Sequence, residues 1–135
     1  MKKIIAGLMI AASMFTFGCS GRNSDFGTVD MSKIEAEAPI VKNTQEDVTK
    51  KMTDLKTQMD KDMAGKTGDD AKKVAEDYGA KAKLIQSEAQ NKLKASLDTA
   101  LKQVADEKKL GAILDKRAVP QGGTDVTSDV IAKMK

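Results

Sequence analysis

Two apolar stripes at helical spacing, separated by a short break that contains two glycines, most constrain how this chain can fold. The stripes consist of Val48, Met52, Leu55, Met59 and Met63, and of Val74, Tyr78, Ala82, Ile85, Ala89, Leu93, Leu97, Leu101 and Val104. Steps of three and four residues place each stripe on one side of an α-helix, with charged and amide side chains around the rest. The pattern therefore predicts two helices that pack along one narrow seam as an antiparallel hairpin.

Proline and asparagine set the expected start of the first long helix. Pro39 should end a short helix that begins near Ser32, because proline clashes with the preceding helical turn. Asn43 can then cap a new helix over residues 44–64, with Glu46 completing a capping pair.

The helix after the break is expected to be much the longer one. Gly65 suits the left-handed position just past a helix end, which makes residues 65–68 the tip of the hairpin. Asp69 can cap the following helix, which extends to Lys108. At 1.5 Å per residue this helix measures ~60 Å and the preceding one ~32 Å. The short helix before Pro39 can cover part of this overhang, and the rest needs a further partner, most simply another copy of the chain.

Short strands are predicted on both sides of the hairpin. The first lies within residues 25–31, and segments 111–114 and 117–119 are apolar enough to form two more. Thr127 can cap a final helix that begins at Ser128.

These elements predict an α+β fold. The hairpin forms a coiled-coil arm over residues 40–109, attached to a small β body that comprises residues 26–38 and 110–135. The apolar residues available to the core of this body are few: Phe26, Val29, Ile113, Leu114, Val119 and Ile131. A core this small would gain from the association of several copies.

The N-terminal residues predict export. Lys2 and Lys3 precede an uncharged apolar run over residues 4–17, which is shorter than the ~20 residues of a membrane-spanning helix and is typical of a signal peptide. Gly18 and Cys19 match the cleavage site of bacterial lipoproteins.

Two cleavage sites are compatible with this leader. Cleavage before Cys19 would remove residues 1–18 and leave residues 19–25 as a lipidated tether, although Thr16 and Phe17 depart from the usual lipoprotein motif. Cleavage after Ser20 would discard the cysteine. A cysteine at the end of an apolar leader seldom has another purpose, so the first site is favoured.

The composition is compatible with a lipid anchor and argues against a disulfide-bonded or nucleic-acid-binding protein. Cys19 is the single cysteine, which excludes an intramolecular disulfide. Ser20 follows it, and a residue other than aspartate there permits sorting to an outer membrane, which gives the periplasmic face of that membrane as the expected location. The 23 basic and 20 acidic residues nearly balance, so nucleic acid is not an expected partner.

The residues that enzymes need are scarce. The chain has no histidine, and no recognisable nucleophile motif, phosphate-binding loop or calcium loop is present. Asp60, Asp62, Asp69 and Asp70 cluster near the tip, but Lys61 and Lys66 are interleaved with them, which indicates a solvated end. We therefore expect neither enzymatic activity nor a cofactor or metal site.

The C-terminal segment has a pattern that resembles a known family. Residues 110–135 comprise an apolar strand, Asp115, a turn to Ala118-Val119, a glycine-rich link, Asp125-Val126-Thr127 and an amphipathic helix. Residues 29–34 resemble that family's first strand where it continues into the first helix. In overall plan, residues 26–135 resemble the Skp, or OmpH-like, periplasmic chaperones.

The resemblance implies a homotrimer. Strands from three chains would form the body, and three helical hairpins would enclose a cavity that holds unfolded outer-membrane proteins without ATP. This chain departs from the family in its apparent lipid anchor, its short arms and its arm charge, because residues 42–108 contain 14 Lys against 13 Asp and Glu. No lipopolysaccharide site is assigned.

Met52, Met59 and Met63 near the tip allow two interpretations. Flexible thioether side chains suit the binding of varied clients, whereas their spacing favours packing in the seam between the helices. Gly79 also lies mid-helix, either as a hinge or as a glycine that packing requires or tolerates.

Two functions are therefore carried forward. The first is a membrane-tethered holdase chaperone for unfolded envelope proteins. The alternative is a structural coiled-coil lipoprotein that acts as a spacer or scaffold in the envelope. Strand-forming residues after the arm favour the chaperone, because a spacer rod needs no sheet body.

Overall fold

The computed structural model describes residues 25–135 and consists mostly of helix, with one long helix and a small parallel sheet. The predicted signal peptide over residues 1–18, the lipid attachment at Cys19 and the tether up to residue 24 lie outside the described residues.

The sheet combines strands from both ends of the described chain, as predicted. Strand β1 (Phe26–Val29) lies between β2 (Ala112–Asp115) and β3 (Thr124–Asp125), and both pairings are parallel. Gly27 is closely packed in β1, because a Cβ atom there would lie 2.9 Å from Cδ1 of Leu110 and 3.1 Å from Cγ2 of Val126.

Four helices complete the fold: α1 (Met31–Glu37), α2 (Pro39–Met63), α3 (Gly68–Lys108) and α4 (Thr127–Lys133). Asp30 caps α1 by accepting a hydrogen bond from the backbone N–H of Lys33 at 3.2 Å. Ala38 is extended and separates α1 from α2. The break between α2 and α3 matches the predicted tip, with Gly65 at a φ of 77°.

Two predicted helix starts are wrong. Asn43 lies inside α2, which begins at Pro39, because the fixed φ and missing N–H of proline suit the first helical position. Asp69 lies in the first turn of α3 and Thr67 occupies the capping position. Asp69 and Asp70 still lie at the positive end of the helix dipole.

The strand predicted over residues 117–119 is also wrong, because Lys116–Ala118 forms a single 3₁₀ turn. The Asp115 carboxylate accepts a hydrogen bond from the backbone N–H of Arg117 at 2.9 Å and contacts its guanidinium at 2.7 Å. These bonds lower the pKa of Asp115 to about 2. A local side-chain turn therefore replaces strand pairing.

The predicted cap of the last helix differs as well. Val126 occupies the capping position and Thr127 begins α4. The Thr127 hydroxyl donates to Asp125 Oδ1 at 2.6 Å and accepts from the backbone N–H of Asp30 at 3.0 Å. Thr127 therefore links the end of β1 to the start of α4 instead of capping the helix.

The core lies where the sheet, α1 and α4 meet the C-terminal part of α3. Its buried members are Val29, Ile34, Ala38, Ile40, Ala100, Val104, Val126, Val130 and Met134. Most of these residues belong to helices, so the core extends beyond the residues predicted for it. Leu114, which was predicted to lie in the core, is 43% exposed. Because α4 packs on α3, the overhang of α3 is covered in part by the chain itself and requires no second copy to bury Ala100 and Val104.

Candidate functional site

A shallow apolar groove lies between α2 and α3 near the tip, and we call it the tip groove. It is lined by Met52, Leu55, Lys56 and Met59 of α2 and by Ala75, Tyr78, Gly79 and Ala82 of α3. Long side chains from α2 thus face mostly small ones from α3. This pairing leaves the groove open along its length.

The three methionines predicted as client-binding residues lie on the seam side of α2. Met52, Met59 and Met63 are half-buried, and the first two line the tip groove. Their spacing correctly predicted the seam. Within the described residues only α2 and α3 form the seam here. The methionine side chains therefore pack between the two helices and remain partly accessible to solvent.

Gly79 forms part of the floor of the tip groove. A Cβ atom built at this position would find no atom within 4 Å, so helix packing does not require glycine there. Its φ is not positive, so the backbone does not require glycine either. The interpretation that helix packing requires this glycine is therefore wrong, and the interpretation that the helix tolerates it is left.

Tyr78 links the two helices beside the groove. It is 6% exposed, and its hydroxyl donates a hydrogen bond to Asp62 Oδ2 at 2.6 Å. This bond, together with burial and the charge of Asp62, raises the pKa of Tyr78 above its ordinary value. Asp62 could not be predicted as the partner of Tyr78, because the pair depends on how the two helices align.

Two lysines give the rim of the groove a positive character. Lys56 lines the groove, and Lys81 Nζ lies 4.6 Å from the centre of the Tyr78 ring, within the range of a cation–π contact. Within residues 25–135 neither lysine forms an ion pair. Asp62 is held by Tyr78 and is not among the lining residues.

The described part of the chain, residues 25–135, contains neither a metal-binding cluster nor a helix that could cross a membrane. No group of three or more Cys, Asp or Glu residues in this part is placed to hold a metal ion. None of the helices within residues 25–135 is both long and apolar enough to cross a membrane.

Neither a scan against models of known protein families nor a search of curated proteins finds a match to this chain.

Proposed function

We propose that the chain is an ATP-independent holdase chaperone of the Skp, or OmpH-like, kind that binds unfolded envelope proteins. In this proposal a lipid on Cys19 tethers it to the periplasmic face of the outer membrane. The observation that carries the proposal is a small body, built from both ends of the described chain, that supports a pair of long helices with a half-open apolar seam.

The arm is proposed to be an antiparallel hairpin. Asp62 near the end of α2 bonds Tyr78 near the start of α3, while Thr44 and Val48 near the start of α2 lie beside Ile85 and Ala89 further along α3. Contacts that move backward along α2 and forward along α3 support opposite helix directions. The arm would then project from the body as one unit.

The half-open seam is what suits the arm to unfolded clients. Apolar side chains that stay partly accessible can contact apolar segments of many sequences, and methionine adapts to partners of different shape. The nearly equal numbers of lysine and acidic residues along the arm keep the surrounding surface solvated. Binding would therefore be broad and would need no nucleotide.

A homotrimer is part of the proposal. The short strands β2 and β3 form the two edges of the sheet, and Leu114 on β2 is 43% exposed. Strand edges and exposed apolar side chains are the features that association buries. Three bodies joined in this way would place three arms around a shared space.

Aggregation of a denatured outer-membrane protein tests the holdase. At one chaperone trimer per client, light scattering after dilution from urea should fall well below that of the client alone. The matched control is the same concentration of a folded protein of similar charge. Normal aggregation in the presence of correctly folded chain would exclude the holdase and leave the envelope spacer as the alternative.

The mass of the mature N-terminus in native membranes tests the anchor. We expect an N-terminal peptide that begins at Cys19 and carries the mass of its acyl chains. A mature chain that begins at Gly21 would show that the cysteine is discarded and that the protein is not a lipoprotein.

A further inference from the structure

The tip groove combines an apolar floor with a cationic rim, and this combination defines a ligand. Met52, Leu55 and Met59 supply apolar surface. Lys56 is the charged residue among the lining side chains, and Lys81 lies over the ring of Tyr78. Neither lysine has a carboxylate partner within the described residues. A partner that supplies a negative charge beside an apolar side chain complements both features.

The absence of a side chain at Gly79 has no structural reason within the chain. Glycine inside a helix is unfavourable relative to alanine, and here neither backbone conformation nor packing requires it. A helix position without a side chain allows another backbone to approach closely. Ala75 and Ala82 also line the groove, so three of its four α3 residues have a small side chain or none.

We propose that the tip groove binds an extended segment of unfolded polypeptide in which a branched apolar side chain neighbours an acidic one. The apolar side chain lies on the floor between Met52 and Met59, and the backbone passes over Gly79. The carboxylate faces Lys56 and Lys81. This inference deepens the proposed holdase function, on which it rests, by naming the segment that the arm selects.

Fluorescence anisotropy with two labelled peptides measures this selection on the full chain. One peptide alternates leucine with aspartate, and the other alternates leucine with lysine. We expect the acidic peptide to bind at least about tenfold more tightly. Lys56→Glu should reduce that preference to less than about threefold, because it replaces a rim cation with an anion.

A matched pair of leucine substitutions tests the location. Gly79→Leu places a side chain in the groove and should weaken binding of the acidic peptide by at least about tenfold. Ala80→Leu adds a similar volume at the next position, which is exposed, and should change binding by less than about twofold. Far-UV circular dichroism and the urea midpoint establish that both variants are folded.

Several outcomes would overturn the inference. These are equal binding of the two peptides, equal effects of the two leucine substitutions, or a rise in sedimentation mass that Gly79→Leu abolishes, which would identify a second copy as the occupant. Aggregation assays separate this inference from the proposed function. If Gly79→Leu loses peptide binding but still suppresses aggregation as wild type does, the groove is not the client site and the holdase stands. If wild type binds the peptide yet suppresses nothing, the holdase fails.

Discussion

Gly123 is held by two independent constraints at the base of the sheet. Its φ is 83°, in the left-handed region that favours glycine. A Cβ atom at this position would also lie 2.6 Å from Cε2 of Phe26 and 2.8 Å from Cγ2 of Thr28. The link between β2 and β3 can therefore pass over β1 only because this residue has no side chain.

Gly123→Ala should reduce the free energy of unfolding by about 2–4 kcal/mol, because backbone strain and overpacking add. Gly68→Ala is the matched control. Gly68 has a φ of 62°, but a Cβ atom there meets nothing within 4 Å, so only strain of about 1–2 kcal/mol is expected. Urea unfolding measures both values. Equal losses would show that contact with Phe26 is unimportant.

Tyr78 makes the stability of the arm depend on pH in the alkaline range. Its pKa is raised by the hydrogen bond to Asp62, so the folded chain holds this proton more tightly than the unfolded chain, where tyrosine titrates near ~10. The contribution to stability is therefore complete below pH ~10 and is lost as the pH rises toward the pKa of the folded state.

Tyr78→Phe removes this titration and should flatten the dependence of the urea midpoint on pH above ~10 relative to wild type. Absorbance at the wavelength of tyrosinate reports the titration directly, because Tyr78 is the only tyrosine. A midpoint that falls equally in both proteins would attribute the alkaline loss to lysine deprotonation instead.

Thr44 has a buried hydroxyl without a hydrogen-bond partner where α2 faces α3. The residue is 3% exposed, and the hydroxyl oxygen makes no bond. By contrast, the exposed Thr49 donates to the carbonyl oxygen of Gln45 at 2.8 Å. An unpaired buried hydroxyl opposes folding.

Thr44→Val should therefore raise the free energy of unfolding by about 1 kcal/mol, since valine has nearly the same shape and no polar atom to bury. Thr49→Val, in which an exposed bonded hydroxyl is removed, should change it by less than about 0.5 kcal/mol. Lower stability of Thr44→Val than of wild type would show that this hydroxyl is satisfied by water or a ligand in solution.

At the scale of the elements, α4 is attached to α3 by buried contacts more than by charge. Val130 and Met134 lie in the core, with Val130 fully buried. The ion pairs Lys133–Glu107 and Lys108–Asp129 also join the two helices, but their side chains are between 35% and 58% exposed. Exposed ion pairs contribute little.

Val130→Ala should cost about 2 kcal/mol of unfolding free energy through lost burial and the cavity left behind, whereas Lys133→Gln should cost less than about 1 kcal/mol. Urea unfolding at low and high salt checks the contrast. The loss caused by Lys133→Gln should shrink at high salt, whereas the loss caused by Val130→Ala should not change. A larger loss for Lys133→Gln would assign the attachment of α4 to electrostatics.

The long helices could be predicted because their signals repeat. The stripe through Leu93 and Leu97 persists over many turns, and Gly65 ends α2 by a local conformational preference. Helix starts depend on fewer residues, and at α2 the fixed φ of Pro39 prevailed over the capping side chain of Asn43.

The short elements and the pairings between elements could not be predicted in the same way. Strand β3 has two residues, Thr124 and Asp125, too few for any periodicity. In the tip groove, spacing predicted that Met52 and Met59 lie in the seam. Spacing could not predict the hydrogen bond between Tyr78 and Asp62 or the free space beside Gly79, because both depend on the alignment of α2 with α3.

At the scale of the whole molecule, Asp25 and the hairpin tip lie at opposite ends of α3. The backbone N–H of Gly111, just after α3, donates to the carbonyl oxygen of Asp25 at 2.8 Å. The 41 residues of α3 span ~62 Å. In the proposed lipoprotein, the short tether before Asp25 would therefore hold the body near the membrane, and the tip groove could reach clients well away from it.

The proposed trimer makes stability depend on protein concentration. Association that occurs only in the folded state raises the unfolding midpoint as concentration rises. Leu114, which is 43% exposed on an edge strand, is the apolar residue of the body that we expect association to bury.

Leu114→Ser should lower the sedimentation mass and reduce the dependence of the unfolding midpoint on concentration. Leu84→Ser is the matched control, because Leu84 is 59% exposed on α3 away from the body, and it should leave both unchanged. A wild-type chain that sediments as a monomer at every concentration would exclude the trimer and with it the shared space between the arms, while the tip groove, which lies within a single chain, would still be available to clients.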